Sequence, residues 1–227
     1  MPLRAIIFDF DGVLANTEPL HLRAYQEVLA PEGLTLTEDE YYARYLGFDD
    51  VGVFTAMAAA AGRQWTSTDI RRLIVTKARR LEQLEENVSV LFPGAADTVR
   101  RAAAAVPIAI ASGALGAEVR RVLEREQLVN CFTAIVAAED TPLSKPSPEP
   151  YLHALMQLTS SLSVQIAPHE CVALEDSPWG LLSARAAGLR TIAVAQTYGK
   201  SDLHDADLII STIASLDLHE LSQLCTY

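Results

Sequence analysis

The chain has 227 residues, half of them apolar, and 29 acidic against 18 basic residues give a formal net charge of −11. That size and apolar content suffice for a packed interior and exclude a disordered chain. The negative surplus excludes nucleic acid and anionic membranes as partners, because a polyanion would be repelled over most of the surface.

The first predicted strand is Ala5–Phe10, where Ala5, Ile6, Ile7 and Phe8 form the unbroken apolar run of a strand buried on both faces. It ends in two carboxylates, Asp9 and Asp11, whose burial costs several kcal/mol each unless a cation compensates. The unbroken apolar run before Asp9 is only four residues long, so it is not the core of a signal segment. Residues 16–90 then show only helical periodicity, in segments Glu18–Ala30, Glu38–Leu46, Val51–Ala61 and Ser67–Glu86. "FPG" at Phe92–Gly94 punctuates the chain before a helix at Ala95–Ala105.

From there strand and helix alternate. Strands are predicted at Pro107–Ala111, Ala134–Ala137, Cys171–Leu174, Thr191–Ala195 and Asp207–Ile210, with helices at Leu115–Glu126, Pro148–Leu158 and Pro178–Ala187. Pro178 opening the last of these helices and Gly188 following it match the usual asymmetry of helix ends. The pattern predicts an α/β fold: a doubly wound, Rossmann-like parallel sheet core with an inserted α-helical domain. The core is expected at residues 1–15 and 91–227 and the helical insert at 16–90. The charged stretch Glu118–Gln127 reads as a solvated helix face. Cys131, Cys171 and Cys225 are odd in number, far apart and in no C-x-x-C arrangement, so neither a disulfide framework nor a zinc site is expected. No apolar run approaches the roughly 18 residues of a membrane span, and the cytoplasm is the expected compartment.

Ligands of open parallel sheets gather at the carboxyl ends of the strands. The residues found there are Asp9 and Asp11 after the first strand, Ser112 and Gly113 after "PIAIA", and Glu175 and Asp176 after "CVAL", with Lys145 in the loop beyond "AIVA". Singly, each has an ordinary reading as a turn, a cap or a solvated loop residue. Together they place four carboxylates, a hydroxyl and an ammonium on one rim.

Four elements, "DFDGVL" at Asp9–Leu14, "ASG" at Ala111–Gly113, "KPSPEPY" at Lys145–Tyr151 and "LEDSPWG" at Leu174–Gly180, resemble the haloacid dehalogenase superfamily and stand in its order. "ANTEPLHLRAY" at Ala15–Tyr25 is similar to its β-phosphoglucomutase/CbbY-like branch. The resemblance implies a Mg²⁺-dependent phosphatase acting on a small phosphorylated metabolite, a sugar phosphate, through an aspartyl-phosphate. It implies Asp9 as nucleophile and metal ligand, Asp11 as acid/base and as a ligand through its backbone carbonyl, and Asp176 as the second carboxylate ligand. Glu175 would bind the metal directly or through water. Gly12, Ser112, Gly113 and Lys145 would surround the phosphoryl group. An aspartate at position 11 separates phosphoryl transfer from dehalogenation, where a halide leaves without a proton.

By the same resemblance residues 16–90 form a cap that selects the substrate, with Thr17, Glu18, His21 and Lys77 as substrate contacts, and the protein is a monomer. A mutase of this branch grips a second phosphate with an arginine in a cap loop of the form G-x-S-R. The corresponding stretch here, Tyr45–Phe54, carries Asp49 and Asp50 and no basic residue, which favours a phosphatase over a mutase. A phospho-acceptor signalling module shares the acids, magnesium, hydroxyl and lysine, but needs neither this length nor a helical insert.

Overall fold

The computed structural model describes residues 3–46, 48–86 and 88–225. Six parallel strands, β1 (Ala5–Phe8), β2 (Ile108–Ala111), β3 (Ala134–Val136), β4 (Cys171–Glu175), β5 (Arg190–Val194) and β6 (Leu208–Ile210), form one sheet in the order β3-β2-β1-β4-β5-β6. The order reverses between β1 and β4, the switch point at which such sheets open a crevice at their carboxyl ends. The register sets Phe8 beside Ile110 of β2 and Leu174 of β4, so the residues after these strands emerge side by side.

All four residues of β1 are fully buried. Successive side chains point to opposite faces. On one face Ala5 and Ile7 join Ala109, Ala111, Ala173 and the α7 (Glu149–Leu162) residues Tyr151, Ala154, Leu155 and Leu158 in one cluster, which also takes Ala184 of α8 (Pro178–Ala186). The alternate residues Ile6 and Phe8 serve the other face, where the Phe8 ring meets Phe132 edge-on at 6.3 Å. Two-sided burial is the reason β1 reads as a continuous apolar run.

The chain divides into two compact units, residues 1–16 with 90–227, and 17–89. The second is wholly helical: α1 (Glu18–Leu29), α2 (Glu38–Arg44), α3 (Asp50–Ala60) and α4 (Ser67–Glu85). Its core is Leu22, Tyr25, Val28, Leu29, Leu36, Tyr41, Val53, Phe54, Met57 and Leu73. Thr37 and Asp49 cap α2 and α3, and Thr66 with Asp69 forms a reciprocal capping box on α4. Gly47, within the stretch Tyr45–Phe54, lies outside the described residues.

Most predicted elements recur with ends moved by one or a few residues. The first strand stops at Phe8 instead of Phe10, because the Phe10 carbonyl accepts the N–H groups of Leu14 and Ala15 and turns the chain into a tight loop. The fourth gains Glu175, and α7 runs on to Leu162, four residues past its predicted end. A short helix, α9 (Leu218–Leu224), capped by Asp217, has no counterpart in the sequence reading. Its seven residues with Leu221 alone buried leave too little periodicity to detect.

Truncating Ile7 to alanine should remove a fully buried side chain from the centre of the sheet and lower the unfolding free energy by about 2–5 kcal/mol. Urea denaturation checks this: the midpoint should fall with the slope unchanged.

Candidate active site

Asp9 is the first residue beyond β1, its N–H still held by the Leu174 carbonyl of β4, and its side chain is buried. Glu175 ends β4 and is completely buried; Asp176 follows it and is nearly so. Each of these three offers a carboxylate oxygen, and those oxygens lie within 4.8 Å of one another. Lys145 enters from the loop before α7, its Nζ 2.7 Å from Asp9 Oδ1 and 2.6 Å from Glu175 Oε1. With all three ionised, three carboxylates against one ammonium would leave two negative charges uncompensated.

The electrostatics follow from this crowding. Burial, opposed by Lys145 and aided by the Glu175 charge, leaves the Asp9 carboxyl pushed up to about 7. Burial, then the Asp9 and Glu175 charges, hold Asp176 well above the usual carboxylate range. For Lys145, burial alone favours the neutral amine, but the two carboxylates more than offset it and its pKa is raised. A protein whose carboxylates resist ionisation in this way is short of positive charge at that spot.

Hard oxygen donors at this spacing, carrying two surplus negative charges, fit a divalent cation such as Mg²⁺. The donors are not equally free. Glu175 Oε1 accepts from Lys145 Nζ and from the Tyr151 hydroxyl, each at 2.6 Å, and Oε2 accepts from the Asp176 N–H at 3.2 Å and the Ser177 hydroxyl at 3.3 Å. Its four lone-pair positions are thus all engaged.

The glycines around this cluster are spatial requirements. A Cβ on Gly180, in the first turn of α8, would sit 2.0 Å from the Glu175 carboxyl carbon. One on Gly12, where φ is +76°, would lie 1.9 Å from Asp176 Oδ2. Gly12 therefore meets the site by letting the loop after β1 pass against Asp176. Ser112 follows β2; it is buried, its N–H bonds the Val136 carbonyl and its Oγ accepts from the Ala114 N–H at 3.0 Å. The next residue, Gly113, is exposed with open space around it. Asp11 belongs to the tight loop Phe10–Ala15 and is half-buried; its carboxylate is not one of the three clustered oxygens.

The other sequence candidates lie in the helical unit, where His21 and Lys77 meet each other. Lys77 is buried, with its Nζ 2.9 Å from His21 Nδ1 and 2.8 Å from Asp50 Oδ1, and it stands 4.8 Å from the Tyr25 ring centre. The Tyr25 hydroxyl donates to the same Asp50 oxygen at 2.5 Å. An ammonium can only donate, so His21 Nδ1 accepts and the ring is neutral with its proton on Nε2. Burial, reinforced by the Lys77 charge, pushes His21 down to about 3. Glu18 accepts from the Tyr41 hydroxyl at 2.5 Å, and burial raises its pKa. Thr17 is buried at the residue before α1.

Four neighbours of the cluster were not assigned roles in the sequence reading: Tyr151, Ser177, Gln196 and Thr197. Tyr151 and Ser177 stand inside the recognised stretches "KPSPEPY" and "LEDSPWG", so their positions carried a signal; Gln196 and Thr197, just after β5, carried none.

The model of the haloacid dehalogenase-like hydrolase family matches residues 6–194, and the chain belongs to that family. It is a phosphoric monoester hydrolase of the haloacid dehalogenase type, in the CbbY-like branch. Protein CbbY of Rhodobacter capsulatus is 32% identical over 209 residues, covering 89% of either chain. Hexitol phosphatase B of Escherichia coli K12 is 29% identical over 96% of both. A crystal structure of a CbbY variant from Rhodobacter sphaeroides in complex with xylulose-(1,5)bisphosphate superposes with a TM-score of 0.78 at 28% identity, covering 95% of this chain and 96% of that one. None of the helices formed by the described residues is long and apolar enough to cross a membrane.

Two outcomes follow. Gly180→Ala and Gly12→Ala should each displace a carboxylate of the cluster and weaken Mg²⁺ binding, measured by titration calorimetry, by tenfold or more. In the helical unit, unfolded His21 takes up a proton below about 6.5 whereas the folded ring stays neutral down to about 3. Stability should therefore fall as pH drops through that window, by on the order of 1–2 kcal/mol at pH 5. Urea unfolding at pH 7 and pH 5 should show a shallower loss for His21→Asn than for the parent chain.

Proposed function

We propose that this chain hydrolyses a sugar phosphate monoester with a divalent cation, Mg²⁺, through an aspartyl-phosphate on Asp9. The observation that carries the reading is the buried Asp9–Lys145–Glu175 ion-pair chain with Asp176 within reach of the same point in space. Asp9 and Asp176 would hold the cation through their carboxylates, with Asp11 lending its backbone carbonyl. Glu175 would reach the cation through a water only where one of its present donors gives way, the Ser177 hydroxyl at 3.3 Å being the longest of them. When bound, the cation supplies charge neutralisation that lets an anionic carboxylate approach an anionic ester.

An Asp9 oxygen attacks phosphorus in line with the ester oxygen, forming the Asp9 O–P bond as the P–O ester bond breaks. The leaving alkoxide takes a proton from Asp11. Water then attacks the aspartyl-phosphate at phosphorus, Asp11 accepts its proton, and the Asp9 O–P bond breaks to release inorganic phosphate, restoring Asp9 as a carboxylate and Asp11 as the protonated acid. Lys145, cationic at every working pH because its carboxylate neighbours hold its proton, faces the charge that develops on the phosphoryl oxygens. Ser112 and Gly113 would hold those oxygens by hydroxyl and backbone N–H groups; the Gly12 N–H is given to the Ala15 carbonyl, so Gly12 would serve by letting its loop approach closely.

Thr17, Glu18, His21 and Lys77 are proposed as contacts to the remainder of the substrate. Asp50 bears on the choice between hydrolase and mutase: it neutralises the Lys77 ammonium and stands in the stretch where a mutase carries an arginine. A paired lysine is a weak grip for a second phosphate, which supports hydrolysis over phosphoryl return. One relative is named a hexitol phosphatase and another was crystallised in complex with xylulose-(1,5)bisphosphate, which supports a sugar-like substrate.

Phosphate release from a panel of sugar phosphates is expected to require Mg²⁺ and to stop on chelation. Asp9→Asn should lower turnover by about three orders of magnitude or more with the fold intact by circular dichroism; full turnover in that variant would refute the assigned nucleophile. With β-glucose 1-phosphate and a catalytic amount of the bisphosphate, free phosphate and glucose are expected; accumulation of glucose 6-phosphate would establish a mutase instead.

A further inference from the structure

The loop that carries Asp11 is braced from across the sheet. Within the loop, the Phe10 carbonyl takes the Leu14 and Ala15 N–H groups, each at 2.9 Å, and the Gly12 N–H donates to the Ala15 carbonyl at 2.8 Å. The first two bonds hold the Phe10–Asp11 peptide and the third the Asp11–Gly12 peptide, leaving the carbonyls of the next two peptides of the loop to be held from outside it. The carbonyls of Gly12 and Val13, both buried residues, accept no backbone N–H among the described residues. Their partner is Gln196, two residues beyond β5, whose Nε2 donates to Gly12 O at 3.1 Å and to Val13 O at 3.2 Å. The amide has two N–H groups, and both are spent on this loop. Its Oε1 accepts the Ile213 N–H at 2.9 Å, tying the brace to the chain beyond β6. The neighbouring Thr197 hydroxyl hydrogen-bonds Asp176.

We infer that Gln196 is a positioning residue for the acid/base step: its amide fixes the Gly12–Val13 peptides and thereby aims the Asp11 carboxyl at the departing oxygen. The inference rests on Asp11 acting as the acid, as argued above. Removing the amide leaves two buried carbonyls without a partner, a cost the loop relieves by moving, and Asp11 moves with it. Geometry of an acid is felt most where the leaving group needs its proton. An alkoxide leaving from a sugar phosphate needs one; p-nitrophenolate does not, so the aryl ester isolates proton donation from every other feature of the site.

The experiment measures single-turnover release of alcohol from glucose 6-phosphate or a better sugar phosphate, and of p-nitrophenol from its phosphate, in the parent chain, Asp11→Asn, Gln196→Met and Gln196→Glu. Gln196→Glu keeps an acceptor for Ile213 and loses the two donors, so one of the pair reports even if the other does not fold. The expected result is a loss on the sugar phosphate about 10–100-fold greater than on the aryl ester in the Gln196 variants, in the same sense as Asp11→Asn, with Mg²⁺ affinity within about threefold of the parent. If Asp11→Asn is selective and the Gln196 variants lose both substrates equally or neither, Gln196 does not position the acid. If Asp11→Asn itself is unselective, the reading of Asp11 falls and takes this inference with it.

Discussion

The buried ion pairs of Lys145 organise the rim of the sheet. An ammonium wedged between Asp9 and Glu175 is expensive to bury and expensive to break, because removing either partner strands a charge in a dry interior. Everything nearby is arranged to make that burial tolerable. Glu175 gains the Tyr151 and Ser177 hydroxyls and the Asp176 N–H, so its full burial leaves no lone pair unmet. Gly180 lacks the side chain that would collide with it. Even so the cluster keeps surplus negative charge, and that surplus is what makes it a site and not merely a structural bridge.

The sheet order explains why these residues meet. Asp9, Ser112 and Glu175 end three strands adjacent in space, β1, β2 and β4, although they are separated by about a hundred residues or more along the chain from first to second. Parallel register carries their carboxyl ends to the same edge, and the reversal between β1 and β4 opens room there. The helical unit uses charge differently. Its buried lysine is matched by Asp50 and by a histidine forced neutral, giving a polar cluster in which donors and acceptors are balanced and little net charge is left.

Much of the fold was legible because β1 and β4 are buried on both faces and read as short apolar runs, and because Pro178 and Gly188 punctuate α8 as helix ends do. The unheralded α9 and the early stop of β1 had weaker signals: the first buries a single leucine, the second depends on where a loop carbonyl finds its donors. Among the candidate residues, the carboxylates stood out since charge next to apolar sequence is costly without a purpose, whereas Lys145, in a loop, stood out only as part of the stretch "KPSPEPY". Gln196 did not, because a neutral amide in a loop is ordinary until its three partners are known.

What the sequence determined by itself is the chemistry on offer: acids, a lysine and a serine at the ends of apolar segments, since residue type and local periodicity are properties of neighbours along the chain. What only the tertiary structure decided is which of those groups share their charge. Lys145 could have paired with water, and Lys77 could have been a solvated helix lysine. Their partners, thirty and twenty-seven residues away at the nearest ionic contact, are set by packing between elements, which no local stretch encodes.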